Sequence, residues 1–128
     1  MTENELSHKI LGAAIEVHKI LGPGLLESAY ETALERELKL RKIEVRRQVG
    51  LPLIYKDAKC DLGYRIDLLV GSKVIIEIKT VSVINDVHLA QILTYLKLSK
   101  IKLGLLINFN VRLLKEGGIK RVVYELDE

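Results

Sequence analysis

The segment from 64 to 80, YRIDLLVGSKVIIEIKT, restricts the fold more than any other stretch of the chain. Two runs of β-branched and aliphatic residues, separated by Gly71, Ser72 and Lys73, read as the two strands of a hairpin. Successive side chains of a strand point to opposite faces. Val74, Ile76, Ile78 and Thr80 therefore share one side, and Ile75, Glu77 and Lys79 share the other. Loop length then decides what lies across the hairpin. A two-residue turn sets Asp67 against Ile76 and puts Asp67 and Glu77 on opposite sides of the sheet, which drives charge into the core. A three-residue loop pairs Val70 with Val74 and sets Asp67 directly across from Glu77. Tyr64, Ile66, Leu68 and Val70 then join Val74, Ile76 and Ile78 on one apolar face, while Arg65, Asp67, Glu77 and Lys79 gather on the other. The hydrophobic pattern selects the three-residue loop.

This register carries an electrostatic cost. Cross-strand Cβ atoms lie about 4.5 to 5.5 Å apart, so opposed carboxylates repel and one should take an elevated pKa unless a cation intervenes. A divalent ion relieves the conflict. An oxygen-only ligand set suits Mg²⁺ or Mn²⁺ rather than Zn²⁺, with waters and substrate phosphate completing the coordination. Lys79 can neutralise the acids, hold a phosphate or polarise an attacking water. Glu77 and Lys79 alone would be an ordinary salt-bridging face. Asp67 is more informative, because a charge inside an apolar strand needs a partner.

The flanking chain fits a mixed α/β domain. Leu6, Ile10, Ala13, Ala14, Val17 and Leu21 form the apolar stripe of a helix over about 5–21. Gly22 can terminate it, and Pro23 suits the start of a second helix running to about 41. The segment 44–57 reads as extended, with a bulge or bend at Gly50 and Pro52. Asn85 or Asp86 can cap a third helix over 86–99, with Leu89, Ile92, Leu93 and Leu96 on its apolar face. LGLLINF (103–109) is apolar throughout, as a strand buried on both faces should be, and KRVVYEL (120–126) reads as a last strand. The strand, helix, strand unit over 74–109 should be a right-handed parallel crossover.

A chain of 128 residues, nearly half of them hydrophobic, supports one core, so residues 1–128 are expected to form a single domain. Twenty basic against 17 acidic residues give a charge of +3, compatible with a polyanionic partner but far from a histone-like excess. The lone Cys60 excludes an internal disulfide and a cysteine metal cluster. No signal peptide or membrane span is indicated. The expectation is a cytoplasmic protein with no membrane partner.

With these residues in view, the chain resembles the PD-(D/E)xK nuclease superfamily. Asp67 matches the first acid, and Glu77, Ile78 and Lys79 match the ExK. It is similar in particular to the GxxExxY family, because Gly24, Glu27 and Tyr30 stand at the required spacing in GLLESAY. Gln91 and Tyr95 in QILTY match the QxxxY element of the branch that includes the RecB nuclease domain and lambda exonuclease. Ile66 stands where the superfamily's name has proline. The resemblance implies a restriction-endonuclease-like core, a mixed central β-sheet flanked by α-helices. It also implies metal-dependent phosphodiester hydrolysis of nucleic acid, with DNA the first expectation and Mg²⁺ or Mn²⁺ held by Asp67, Glu77, the Ile78 carbonyl and Glu27. Glu27, Asp67, Glu77 and Lys79 would be catalytic, and Tyr30, Gln91 and Tyr95 would contact substrate.

Each of the added residues also has a plain structural role. Glu27 sits in the first turn of a helix, where the dipole favours an anion with or without metal. Gly24 can serve the turn alone. His88, Gln91 and Tyr95 fall three and four apart on one helix stripe. Two rival functions stay open: a catalytically silent binding module on the same fold, and a homodimer whose polar stripe is an interface.

Overall fold

The computed structural model describes residues 1–61 and 63–127. Two amphipathic helices open the chain, α1 (Glu3–Leu21) and α2 (Glu27–Leu40). A capping box starts α1: the Thr2 hydroxyl accepts from the Glu5 N–H at 3.1 Å while the Glu5 carboxylate accepts from the Thr2 N–H. Gly22 ends the helix with φ 69°. Pro23 does not begin the next helix as expected; residues 22–26 form a loop and Leu26 is the N-cap residue. The Tyr30 side chain fixes that loop, donating its hydroxyl to the Gly22 carbonyl at 2.5 Å and accepting from the Leu25 N–H at 3.1 Å.

Strand β1 (Val45–Gly50) leads into a short arm, β2 (Leu53–Tyr55) and β3 (Ala58–Cys60), which pair only with each other. Then come β4 (Arg65–Val70), β5 (Val74–Lys79), α3 (Asp86–Ser99), β6 (Leu103–Asn108) and β7 (Ile119–Val123). The main sheet is ordered β1-β4-β5-β6-β7. Only β5 and β6 run parallel; α3 connects them, as the crossover pattern predicts. Asn85 caps α3, accepting from the His88 N–H, and the His88 ring returns an acceptor to the Asn85 N–H. His88 thus completes a capping box.

Three layers result. Leu6, Ile10, Ala13, Ala14 and Val17 of α1 and Tyr30, Leu34 and Leu38 of α2 pack on Val74, Ile76, Ile78, Leu103, Leu105 and Ile107. Ile92, Tyr95 and Leu96 of α3 cover Ile75 and Leu106 on the other side. Full burial of one such aliphatic side chain contributes roughly 1.5 to 3 kcal/mol, enough that the two faces together fix the layer order. Gly104 lets α3 sit close to the sheet: a Cβ there would lie 2.8 Å from Ile92 Cδ1. None of the described helices is long and apolar enough to cross a membrane.

The hairpin has the three-residue loop, with Val70 opposite Val74 and Leu68 opposite Ile76. One part of the expected face pattern is overturned. Leu68 and Val70 pack toward α1 and α2, but Ile66 packs in the α3 cluster and Tyr64 is exposed beside Tyr95. Strand β1 switches in the same way, Val45 lying with one cluster and Val49 with the other. The switch falls at Gln48, which has φ 53° and lies between the paired positions Arg47↔Leu68 and Val49↔Ile66. A left-handed residue breaks the pleat, so the paired ribbon turns over and strict alternation fails beyond it.

Candidate metal centre

Asp67 sits at this break. Continuing the hairpin register one step past Leu68↔Ile76 brings it opposite Glu77, and there side chains replace the backbone ladder. The Asp67 N–H donates to Glu77 Oε1 at 3.3 Å, and the Ile78 N–H donates to Asp67 Oδ2 at 2.9 Å. Each acid is thus pinned to the other strand. The N–H and C=O of one residue leave a strand by the same edge, so the Ile78 carbonyl also faces β4. Lys79, half-buried two residues beyond Glu77, bears electrostatically on both acids.

The electrostatics follow from burial of like charges. Glu77 is 5% exposed. Burial, and next the Asp67 charge, push its carboxyl up to about 9 against the attraction of Lys79. Burial also raises Asp67, and the Glu31 charge adds to the shift while the Ile78 N–H opposes it. In this arrangement the pair retains a proton at neutral pH that a cation would displace.

The other candidates are distributed around this pair. Glu27, in the first turn of α2, accepts from the Thr80 N–H at 3.2 Å, immediately after Lys79 in the chain. Its carboxylate is tied to the end of β5, and among the described residues no group of three or more His, Cys, Asp or Glu is gathered as a ligand cluster. Gln91 donates to the Tyr95 hydroxyl at 3.3 Å, and Tyr95 feels both the Glu77 and Asp67 charges, which, after burial, raise its phenol pKa. Tyr30 is placed differently from the expectation of a substrate contact. It is fully buried, its ring stacks on Phe109 at 4.4 Å, and both hydrogen bonds of its hydroxyl serve the α1–α2 loop. Gly24, with φ 103°, supplies the turn that this anchor holds.

Sequence reasoning missed a second layer. Glu31, one turn beyond Glu27 on α2, is buried and accepts from Arg47 Nε at 2.5 Å and from Gln48 Nε2 at 2.8 Å. The same Gln48 amide reaches Asp67 Oδ1 at 3.4 Å. The left-handed Gln48 therefore both turns the ribbon over and links Glu31 to Asp67. The available signal was the four-residue spacing from Glu27 to Glu31, which places both on one helix face.

The chemistry of this site agrees with a whole-chain comparison. A model of the PD-(D/E)XK nuclease superfamily matches residues 4–122. The chain belongs to this superfamily. No curated protein and no solved structure matches it. Nucleases of the PD-(D/E)XK superfamily typically use divalent metals, and the residues present fit such an ion. Two opposed carboxyls, one pushed up to about 9 by burial and then by the charge of the other, form an all-oxygen set with the Ile78 carbonyl beside them. That is the sparse protein contribution Mg²⁺ accepts, since it keeps several waters and binds through one or two carboxylates plus phosphate oxygens. A cavity of about 670 Å³ beside Ile15, His18 and Leu113 is lined by neither of these acids.

Proposed function

We propose that this PD-(D/E)XK protein, a member of the GxxExxY type, hydrolyses phosphodiester bonds in nucleic acid, DNA first, with Mg²⁺ or Mn²⁺ held by Asp67, Glu77 and the Ile78 carbonyl. The observation that carries the reading is the pair of reciprocal bonds, Asp67 N–H to Glu77 and Ile78 N–H to Asp67, which hold a buried and a half-buried carboxyl together beside Lys79. When bound, the ion supplies a water of lowered pKa and charge opposite the leaving oxygen. Asp67 and Glu77 fix the ligand geometry. Lys79 orients the attacking water and offsets charge accumulating on the phosphoryl oxygens. Glu27, held by Thr80, stands at the same end of β5 to receive a further water or ligand contact. Gln91 and the Tyr95 hydroxyl offer a donor and acceptor to a phosphate oxygen. The lone Cys60 is the basis for placing the protein in the reducing cytoplasm.

Purified protein with Mn²⁺ or Mg²⁺ should nick or degrade DNA. Lys79→Ala should lower the rate at least 100-fold while the melting temperature stays within a few degrees. Unchanged cleavage by the variant would reject the assignment. A second reading, a silent nucleic-acid-binding module, is favoured by one observation: Glu27 is engaged by a backbone N–H and does not join the two acids as a third ligand. Affinity for DNA with no turnover in any divalent ion would select it.

A further inference from the structure

A groove of about 470 Å³ runs between α3 and the β2–β3 arm, walled by Leu53, Tyr64, Val87, Gln91, Tyr95 and Leu98. Its walls are mainly apolar, with one exposed amide, Gln91, and two phenol rings. The Tyr64 backbone is held by the bond from the Leu51 N–H to its carbonyl at 2.8 Å, while its side chain is 42% exposed. The Tyr64 and Tyr95 rings are 6.4 Å apart and tilted by 51°, so neither covers the face of the other. Tyr95 connects the groove to the acids, since the charges of Glu77 and Asp67 both reach its phenol. On the arm that contributes Leu53 to the wall, the Lys56 ammonium lies 5.4 Å over the exposed Tyr55 ring, and Asp57 and Lys59 are exposed outside the groove.

Resting on the hydrolytic reading and naming its substrate class, we propose that this groove takes unpaired nucleobases. A single-stranded segment would stack a base on Tyr64 and present a base edge to Gln91, with Lys56 and Lys59 accompanying its phosphates. An open aromatic face set in apolar walls is complementary to the face of a base, which a duplex keeps covered by its neighbours. Duplex binding draws on phosphate contacts instead, and nothing in the groove wall is cationic.

The test uses the full chain in EDTA and a 12-nucleotide single-stranded DNA carrying one 2-aminopurine. Binding should quench the probe. Tyr64→Leu should remove the quench and weaken binding about 5- to 150-fold, the range of one base–aromatic stack. An abasic site in place of the probe should cost the wild type the same factor and cost the variant nothing further. The matching duplex should bind more weakly than the single strand. Equal affinity for the abasic and intact strands, no effect of Tyr64→Leu, or an equal loss on both strands would each overturn the proposal. Metal-dependent cleavage is scored separately. Cleavage with no dependence on unpaired bases sinks the groove and keeps hydrolysis, and base-dependent binding with no cleavage does the reverse.

Discussion

Glu77→Gln should change the pH dependence of folding more than any other single substitution. The Glu77 carboxyl stands at about 9 in the folded protein against 4.5 as its ordinary value, chiefly because it is buried and secondly because Asp67 lies beside it. A carboxyl raised on folding makes the native state bind more protons than the unfolded chain. Its stabilising contribution is complete below about pH 4.5 and is lost as pH rises toward 9. At about 1.4 kcal/mol per unit, the interval from pH 5 to pH 8 removes about 4 kcal/mol at most, set against a total stability of about 5 to 15 kcal/mol for a typical domain. Glutamine keeps the acceptor for the Asp67 N–H and cannot ionise, so the variant should be nearly flat over that interval and the more stable protein at pH 8. Denaturant unfolding in EDTA at pH 5, 6.5 and 8, with wild type and variant side by side, measures this directly. Saturating Mn²⁺ should restore the wild type at pH 8, and titration calorimetry in two buffers of different ionisation enthalpy should find about one proton released per ion bound. Wild-type stability that is constant or rises from pH 5 to pH 8 in EDTA, or a glutamine variant that tracks it, would show that Glu77 is ionised without metal and that the reasoning is wrong.

Tyr30→Phe strands the Gly22 carbonyl and the Leu25 N–H and should cost about 1 to 3 kcal/mol in denaturant unfolding, with Mn²⁺ affinity unchanged; lost activity at unchanged stability would instead restore Tyr30 as a substrate contact. Glu31→Ala leaves Arg47 without its closest carboxylate and Gln48 without its stronger acceptor, and should cost about 1 to 3 kcal/mol by the same measurement. Glu31→Gln keeps the acceptor for Gln48 and should recover part of that loss. Gly104→Ala forces Ile92 to move from a Cβ 2.8 Å away and should lower stability by about 1 to 3 kcal/mol, read as a fall in melting temperature. A neutral result there would mean that α3 can lift from the sheet.

Most of the layer order was legible because it depends on periodicity. The stripe Leu6, Ile10, Ala13, Ala14 and Val17 admits one buried face, and the unbroken apolar run at 103–109 admits only a strand covered on both sides. The hairpin register was legible for a related reason: a loop one residue shorter would have buried Asp67 or Glu77 on the α1 and α2 side. Gln48 was not legible. Nothing in VRRQVG marks a left-handed residue, and the bend was expected at Gly50 and Pro52, where these conformations are common. Because of that one backbone angle, Ile66 and Val49 exchanged faces, and a strict alternation rule could not follow them.

The same backbone angle accounts for how the two acids are held. A hairpin that continued its ladder past Asp67 and Glu77 would bond the Ile78 backbone to Ile66 and leave the Asp67 carboxyl without that partner. With the ribbon turned over at Gln48, the Asp67 N–H goes to the Glu77 carboxyl and the Ile78 N–H to the Asp67 carboxyl. Gln48 meanwhile ties Asp67 to Glu31 on the helix behind it. The two acids are therefore held at the point where the strands part, with Lys79 and Glu27 at the same end of β5. A substitution that restores a regular pleat at position 48, such as Gln48→Val, should disrupt this arrangement. It should weaken Mn²⁺ binding in calorimetry although residue 48 is not itself a ligand. Unchanged Mn²⁺ affinity in that variant would mean that the hairpin register alone, without the left-handed residue, builds the centre.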